Sequence, residues 1–182
     1  EEVDAIITLF DSEGVEAIAV ALMHSYRNPT HEQRIRDHIK ARYPKRYVSI
    51  SSEVAPEVRE HQRTSTTVAN AYVQPPFDSY LADTADRLKA LGFAGNLYLM
   101  LSGGGITTVD VARQFPARLV ESGPAAGATA TSYYGRLLGQ KDLVSFDMGG
   151  TTAKICLIRN GQPSRASELE VGRVHRFKKG SG

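Results

Sequence analysis

The sequence is poor in three features that mark particular classes of protein. It holds a single cysteine, Cys156, which excludes an internal disulfide framework and agrees with a reducing compartment. No apolar run approaches the roughly 20 residues that span a bilayer, and the first residues have no signal-like pattern. The formal net charge is only +2, which indicates neither a nucleic-acid partner nor binding to an anionic membrane. We therefore expect a cytoplasmic protein in which Cys156, within an apolar run, is a small buried hydrophobe.

The composition is that of an ordinary globular protein of the α/β class. Hydrophobic residues make up 41% and charged residues 23% of the 182 residues, enough for a substantial core. Apolar runs of strand type alternate with helical patterns, which predicts five or six strands between helices. The patterns include strands at 15–23, 97–101 and 118–120, of which the second is predicted to be buried, and a polar helix over 57–71 that ends at Pro75-Pro76. Asn160-Gly161 predicts a type I′ turn, and a helix of small residues that opens at Gly123-Pro124 predicts the close approach of another backbone.

The most informative stretch is 143–158, in which two strand-like runs flank a polar loop. Adjacent glycines in the loop predict a hairpin whose backbone N–H groups can approach an anion closely. Asp147 at the end of the first strand would repel a bare phosphate, unless a hard cation such as Mg²⁺ lies between them. The proposed phosphate ligands are Gly149, Gly150, Thr151 and Thr152. The alternative is a plain hairpin in which Asp147 and the threonines bond their own turn, and spacing alone favours neither.

Three segments together resemble the hydantoinase A/5-oxoprolinase family of the actin-like ATPase superfamily. They are FDMGGTTAK at 146–154, VESGPAAGA at 120–128 and EVREHQRTSTTVANAYVQP at 57–75. The resemblance implies a ribonuclease-H-like fold that is present in part, within an internal fragment of a longer chain. Residues 1–140 would be the later part of one lobe, ending in a hinge helix at 124–138. Residues 141–182 would begin the second lobe with the phosphate-loop hairpin.

The resemblance also implies a function. The family couples ATP cleavage to the opening of a cyclic amide such as a hydantoin or 5-oxoproline, and other members are subunits of ATP-dependent ketone carboxylases. Both kinds commonly pair with a hydantoinase-B-type chain. ATP would serve to activate the amide by phosphorylating its oxygen, because an unactivated amide is a poor electrophile. The competing hypothesis is a nucleotide-binding or structural module without turnover, since the resembled enzymes carry two Asp-x-Gly-Gly-Thr loops and only one is present.

The resemblance assigns roles to individual residues. Asp147 would organise Mg²⁺ and, with Thr151, act in catalysis while the loop holds the phosphate as charge shifts. A second glycine run, predicted between a strand and a helix, would lie beside the cleft, where Gly103 and Gly104 would help to bind the cofactor. Further candidates are Arg63, Thr64 and Asn70 on the polar helix, together with Lys154, which could reach a phosphate or be solvated. The role of Glu121, an ion-pair partner or a base for water, is left open.

Overall fold

The computed structural model describes residues 2–167, which form two compact units. The first ends at Val120 and the second begins at Glu121. The predicted lobe boundary at 140/141 concerns the complete fold and stays a prediction, and the final part of 141–182 lies outside the described residues.

The first unit alternates helices and strands. In chain order its elements are α1 Glu2–Ser12, β1 Ala17–Val20, α2 Thr30–Arg42, β2 Tyr47–Ile50, α3 Ser51–Val54, α4 Glu60–Ala90, β3 Tyr98–Met100, β4 Ile106–Thr108, α5 Val109–Gln114 and a 3₁₀ helix Pro116–Leu119. β1 pairs with β2 in parallel, and α2 makes the crossover between them. A core of five buried aliphatic residues joins these strands to α1 and α2: Ile7, Ile18, Val20, Ile39 and Ile50.

The helix α4 runs for 31 residues and contains both Pro75 and Pro76, so the prediction that these prolines end the helix is wrong. Proline in a helix interior removes a backbone hydrogen bond. Polar residues on both sides of the prolines anchor the helix to other elements. Gln74 donates to the carbonyl of Arg113 at 3.1 Å, and Asp78 accepts hydrogen bonds from Tyr47 and Arg113. These hydrogen bonds to other elements offset the stability that the helix loses at the two prolines.

Three other local predictions were wrong. Residues predicted as a strand at 118–120 belong instead to the end of the 3₁₀ helix Pro116–Leu119 and the residue after it. The second glycine run lies in a hairpin between β3 and β4, which pair antiparallel, rather than between a strand and a helix. The exposed Tyr98 shows that β3 is not the buried strand that its apolar sequence predicts.

The second unit is a helix followed by a meander. Its elements are α6 Ser122–Leu137, β5 Leu143–Met148, β6 Ala153–Arg159 and β7 Gln162–Pro163. All strand pairs are antiparallel. The predicted turn at Asn160-Gly161 is confirmed, because both residues have the positive φ that a type I′ turn requires, 51° and 73°. α6 covers one face of the sheet, where Ile158 is buried.

Candidate functional site

The candidate site is the loop between β5 and β6. Its strands are in register up to the pair Met148 and Ala153, so the loop consists of only four residues, 149–152. The N–H of Gly149 donates to the carbonyl of Thr152 at 2.9 Å. This backbone bond closes the turn and engages one of the N–H groups that the sequence assigned to an anion.

The remaining polar groups of the loop have no partner within the described part of the chain. The N–H groups of Gly150, Thr151 and Thr152 donate to no residue of 2–167, and neither threonine hydroxyl bonds there. The Asp147 carboxylate likewise has no hydrogen bond or ion pair among these residues. The turn is therefore not held by the side chains of its own aspartate and threonines, as the plain-hairpin alternative would require.

These groups fit a magnesium-bound phosphate. Residues 149–152 are exposed, and a Cβ added at Gly150 would meet nothing within 4 Å, so the outer side of the loop is open to a ligand. Asp147 is half-buried and presents carboxylate oxygen, which Mg²⁺ prefers. No group of three or more His, Cys, Asp or Glu residues that could hold a metal occurs in 2–167. A cation at Asp147 would therefore complete its coordination with phosphate oxygens and water.

The helix α6 packs against the strand that carries Asp147. A Cβ at Gly127 of this helix would lie 3.8 Å from Ser145 Oγ and 4.0 Å from Asp147 Oδ2, which are ordinary contact distances. The close approach that the sequence predicted occurs at Gly135, where an added Cβ would overlap Leu143 of β5. Asp147 lies on the side of the sheet that packs against α6.

A third feature of the site is an ion pair between Glu121 and Lys154. Lys154 is the cross-strand partner of Asp147, so both side chains leave the same face of the sheet. Glu121 directly precedes α6 and has a left-handed backbone, with φ of 65°. Each side chain is about one-third exposed, at 34% for Lys154 and 33% for Glu121. The solvated alternative for Lys154 is therefore not what the structure has.

The other glycine loop, 102–105, belongs to the first unit. Gly104 has φ of 82° and donates its N–H to Leu101 at 2.9 Å, so that group closes the turn. The N–H of Gly103 donates to no described residue. Ser102 ties the loop to the carbonyls of Arg118 and Val120. Of the two glycines predicted to bind a cofactor, Gly103 has the N–H that is open to a ligand.

The candidates on α4 divide into two groups. Thr64 is exposed, whereas Arg63 and Asn70 are fully buried and bind protein groups. Arg63 donates to the carbonyl of Leu22 at 2.7 Å, to that of Glu57 at 3.0 Å and to Ser51 Oγ at 2.9 Å. Asn70 bonds Ser49 Oγ, the carbonyl of Gln114 and the N–H of Ala117. Both residues tie together the elements of the first unit.

Sequence reasoning missed the glutamate that completes this buried network. Glu32 is fully buried and accepts hydrogen bonds from Ser51 Oγ at 2.7 Å and from the N–H groups of Leu22 and Ser52 at 2.8 Å. Burial acts to raise the pKa of Glu32, but these hydrogen bonds outweigh it and hold the pKa below its ordinary value. Ser51 links Glu32 to Arg63. A buried glutamate on a charged helix leaves no local sequence signal.

Cys156 is half-buried, less enclosed than the sequence predicted. Among the helices of the described residues, none is long and apolar enough to cross a membrane.

Comparison with solved structures identifies the class of fold. The chain is similar to acetone carboxylase, solved in a nucleotide-free state in work on ATP-dependent acetone carboxylation, with a TM-score of 0.76 and 29% identity. The match covers 88% of this chain and 23% of that one. The mixed helix–strand architecture is therefore that of part of an actin-like ATPase-type fold, as the resemblance predicted.

Family models identify the family. The hydantoinase/oxoprolinase model matches residues 63–178, and the model of the hydantoinase/oxoprolinase N-terminal region matches residues 1–43. The chain belongs to the hydantoinase/oxoprolinase family.

Three relatives illustrate the range of that family. An uncharacterized protein of Methanocaldococcus jannaschii is 44% identical over all of this chain and 27% of its own length. The caprolactamase alpha subunit of Pseudomonas jessenii is 34% identical over 92% of this chain and 24% of its own length. The acetophenone carboxylase gamma subunit of Aromatoleum aromaticum is 31% identical over 87% and 22%. The chain thus spans about a quarter of the length of these three relatives. The relatives as a group include both cyclic-amide hydrolases and ketone carboxylases.

Proposed function

We propose that this chain supplies a phosphate-binding part of the ATP-dependent subunit of a cyclic-amide hydrolase, of the hydantoin or 5-oxoproline type. Membership of the family supports the class of enzyme, and the name of the caprolactamase relative supports a cyclic amide as substrate. ATP, Mg²⁺ and the amide are the ligands of this proposal, and Asp147 with residues 149–152 is its site.

One observation carries the proposal. The Asp147 carboxylate and three consecutive N–H groups, those of Gly150, Thr151 and Thr152, remain unpaired within 2–167 at one tight turn. Residues 150–152 are exposed, so a ligand can reach their N–H groups by displacing only water. A carboxylate beside a row of N–H donors suits a cation and an anion bound together, which is the chemistry of a metal-bound phosphate.

The residues of the chain would divide the work. Asp147 would hold the cation, directly or through water. The free N–H groups and the hydroxyls of Thr151 and Thr152 would donate hydrogen bonds to phosphate oxygens, and would stabilise them as negative charge moves between them. ATP, when bound, would supply the activation that an amide carbonyl lacks.

The second candidate is a subunit of an ATP-dependent ketone carboxylase. The structural similarity to acetone carboxylase favours it, and so do the acetophenone and acetone carboxylase relatives. The phosphate loop would serve the same purpose in both. For either, we propose a hydantoinase-B-type partner chain, because several relatives are named as subunits. A non-catalytic nucleotide-binding module is the third candidate.

Calorimetric titration tests the proposed site. Mg·ATP and Mg·ADP are titrated into the complete polypeptide that carries this sequence, and into its Asp147→Asn variant. We expect wild-type binding that requires Mg²⁺ and at least a tenfold loss, about 1.4 kcal/mol or more, in the variant. The matched control is Asp83→Asn, an exposed aspartate on α4, which should bind as wild type does. Equal binding by wild type and Asp147→Asn would refute the site.

Substrate-dependent release of inorganic phosphate from ATP distinguishes the candidate reactions. The complete protein, with its partner chain, is assayed against hydantoins, 5-oxoproline and caprolactam, and against acetone and acetophenone with bicarbonate. Release stimulated by a cyclic amide supports the hydrolase, and release that needs both ketone and bicarbonate supports the carboxylase. Nucleotide binding without stimulation by any of them would favour the non-catalytic module.

A further inference from the structure

The ion pair between Glu121 and Lys154 places a second carboxylate and an ammonium beside Asp147. Two carboxylates and one ammonium leave the cluster with one net negative charge. Lys154 and Asp147 are cross-strand neighbours, whose Cβ atoms lie about 5 Å apart in an antiparallel sheet. Any charged ligand held by Asp147 and residues 149–152 therefore lies within reach of the field of this pair.

The geometry of Glu121 indicates that the pair is more than a surface contact. Glu121 adopts a left-handed backbone conformation, which costs a non-glycine residue free energy unless its surroundings hold it there. Its side chain makes no capping hydrogen bond to α6, although it occupies the N-cap position. The carboxylate reaches the Lys154 ammonium instead. Both side chains remain about one-third exposed, so a ligand can alter their pairing.

The two residues of the pair have opposite effects on the preference for metal-bound over metal-free nucleotide. Metal-free ADP carries more negative charge than Mg·ADP. A change in the charge of the site therefore alters the affinity for metal-free ADP more than it alters the affinity for Mg·ADP. A free Lys154 ammonium attracts bare phosphate. Glu121 neutralises that ammonium and, with Asp147, favours a ligand that brings its own cation.

We propose that Glu121 and Lys154 form a charge-setting pair that determines how strongly the phosphate loop discriminates between metal-bound and metal-free nucleotide. Glu121 binds the Lys154 ammonium when the loop holds no ligand. A bound phosphate then competes with Glu121 for this ammonium. This inference rests on the proposed function, because it requires that the loop bind a nucleotide. Glu121 and Lys154 are here specificity-determining residues, and neither is assigned a proton-transfer step.

The test is a ratio of dissociation constants. ADP is titrated into the complete protein with excess Mg²⁺ and again with a chelator, and the ratio of the metal-free to the Mg²⁺ value is compared between variants. Lys154→Met should raise the ratio and Glu121→Gln should lower it, each by roughly threefold to tenfold for a partly exposed charge. Lys154→Arg, which keeps the charge, should retain the wild-type ratio.

Two controls separate charge from structure. Lys141→Met removes an exposed lysine just before the same hairpin, and Glu13→Gln removes an exposed glutamate from the first unit. Neither should change the ratio. A purely structural role for the pair would weaken both forms of ADP equally and leave the ratio unchanged.

The outcomes distinguish this inference from the proposed function. If wild type binds no Mg·ADP, the proposed function fails and this inference fails with it. If wild type binds Mg·ADP but both variants shift the ratio in the same direction, or not at all, the inference alone is refuted. Shifts in opposite directions, with the ratio retained by Lys154→Arg, support it.

Discussion

Two glycines on the same helix predict opposite effects of the same substitution. At Gly127 a new Cβ would lie 3.8 Å from Ser145 Oγ and 4.0 Å from Asp147 Oδ2, which are ordinary contacts. At Gly135 it would lie 2.4 Å from Leu143 Cδ1 and 3.0 Å from the carbonyl oxygen of Gln140. The leucine methyl can move. The Gln140 carbonyl cannot move easily, because Gln140 also donates its N–H to the carbonyl of Gly135 at 2.8 Å and closes the end of the helix.

The expected magnitudes follow from these distances. Alanine in a helix interior gains roughly 0.5–1 kcal/mol over glycine, and forcing an atom into a packed site costs about 1–3 kcal/mol. Gly127→Ala should therefore raise the free energy of unfolding of the second unit by roughly 0.5–1 kcal/mol. Gly135→Ala should lower it by roughly 1–2 kcal/mol, since the clash outweighs the gain.

Hydrogen exchange followed by mass spectrometry measures this unit separately from the first. Peptides from β5 and β6 report the free energy at which their own hydrogen bonds open. We expect slower exchange there in Gly127→Ala and faster exchange in Gly135→Ala. Changes of the same sign in both variants would refute the packing of α6 on β5, and so would a larger loss in Gly127→Ala.

Three further substitutions test the buried groups. Arg63→Met should lower the free energy of unfolding by about 3–5 kcal/mol in urea denaturation, because buried acceptors lose their charged donor. Glu32→Gln should destabilise the protein at neutral pH. The folded-state pKa of Glu32 is lowered, so its stabilisation is complete above the unfolded pKa of about 4.3 and is lost as pH falls through the folded pKa. The difference in denaturation midpoint between wild type and Glu32→Gln should therefore become smaller as the pH falls into the acid range. Ile158→Ala, at a site only 1% exposed, should cost the second unit about 2–5 kcal/mol by hydrogen exchange.

Each of these three substitutions has a matched control, a result that would contradict it, or both. Arg87→Met changes an exposed arginine on α4 and should alter stability by less than about 0.5 kcal/mol. Val144→Ala removes an exposed side chain from β5 and should cost far less than Ile158→Ala. Similar losses in Arg63→Met and Arg87→Met would contradict the buried role of Arg63. A Glu32→Gln deficit that grows in acid would contradict the direction of its pKa shift.

The parts of the fold that the sequence predicted are those with a local physical cause. Asn160-Gly161 specifies its turn through two backbone conformations that few residues adopt. The hairpin around residues 149–152 follows from two apolar runs and a pair of glycines. The small residues of α6 predicted a close approach of another segment, and it occurs at Gly135, where Leu143 and the Gln140 carbonyl leave no room for a Cβ. None of these inferences required knowledge of distant contacts.

The parts that the sequence did not predict depend on partners far along the chain. Pro75 and Pro76 break helices by a local mechanism, but contacts from Asp78 to Tyr47 and Arg113 keep α4 continuous. Glu121 and Lys154 are 33 positions apart, and only the packing of α6 on the sheet brings them together. The polar residues of α4 were ambiguous for the same reason, since a polar stripe is normally solvated and this one is buried against other polar groups.

The most direct test of the central claim is a crystal structure of the complete protein with Mg·ADP. We predict phosphate oxygens within hydrogen-bonding distance, about 2.7–3.2 Å, of the N–H groups of Gly150, Thr151 and Thr152. We also predict Mg²⁺ at the Asp147 carboxylate, either bound directly or through one water. ADP bound elsewhere, with this loop empty and Asp147 facing no cation, would contradict the assignment of the β5–β6 loop as the phosphate site.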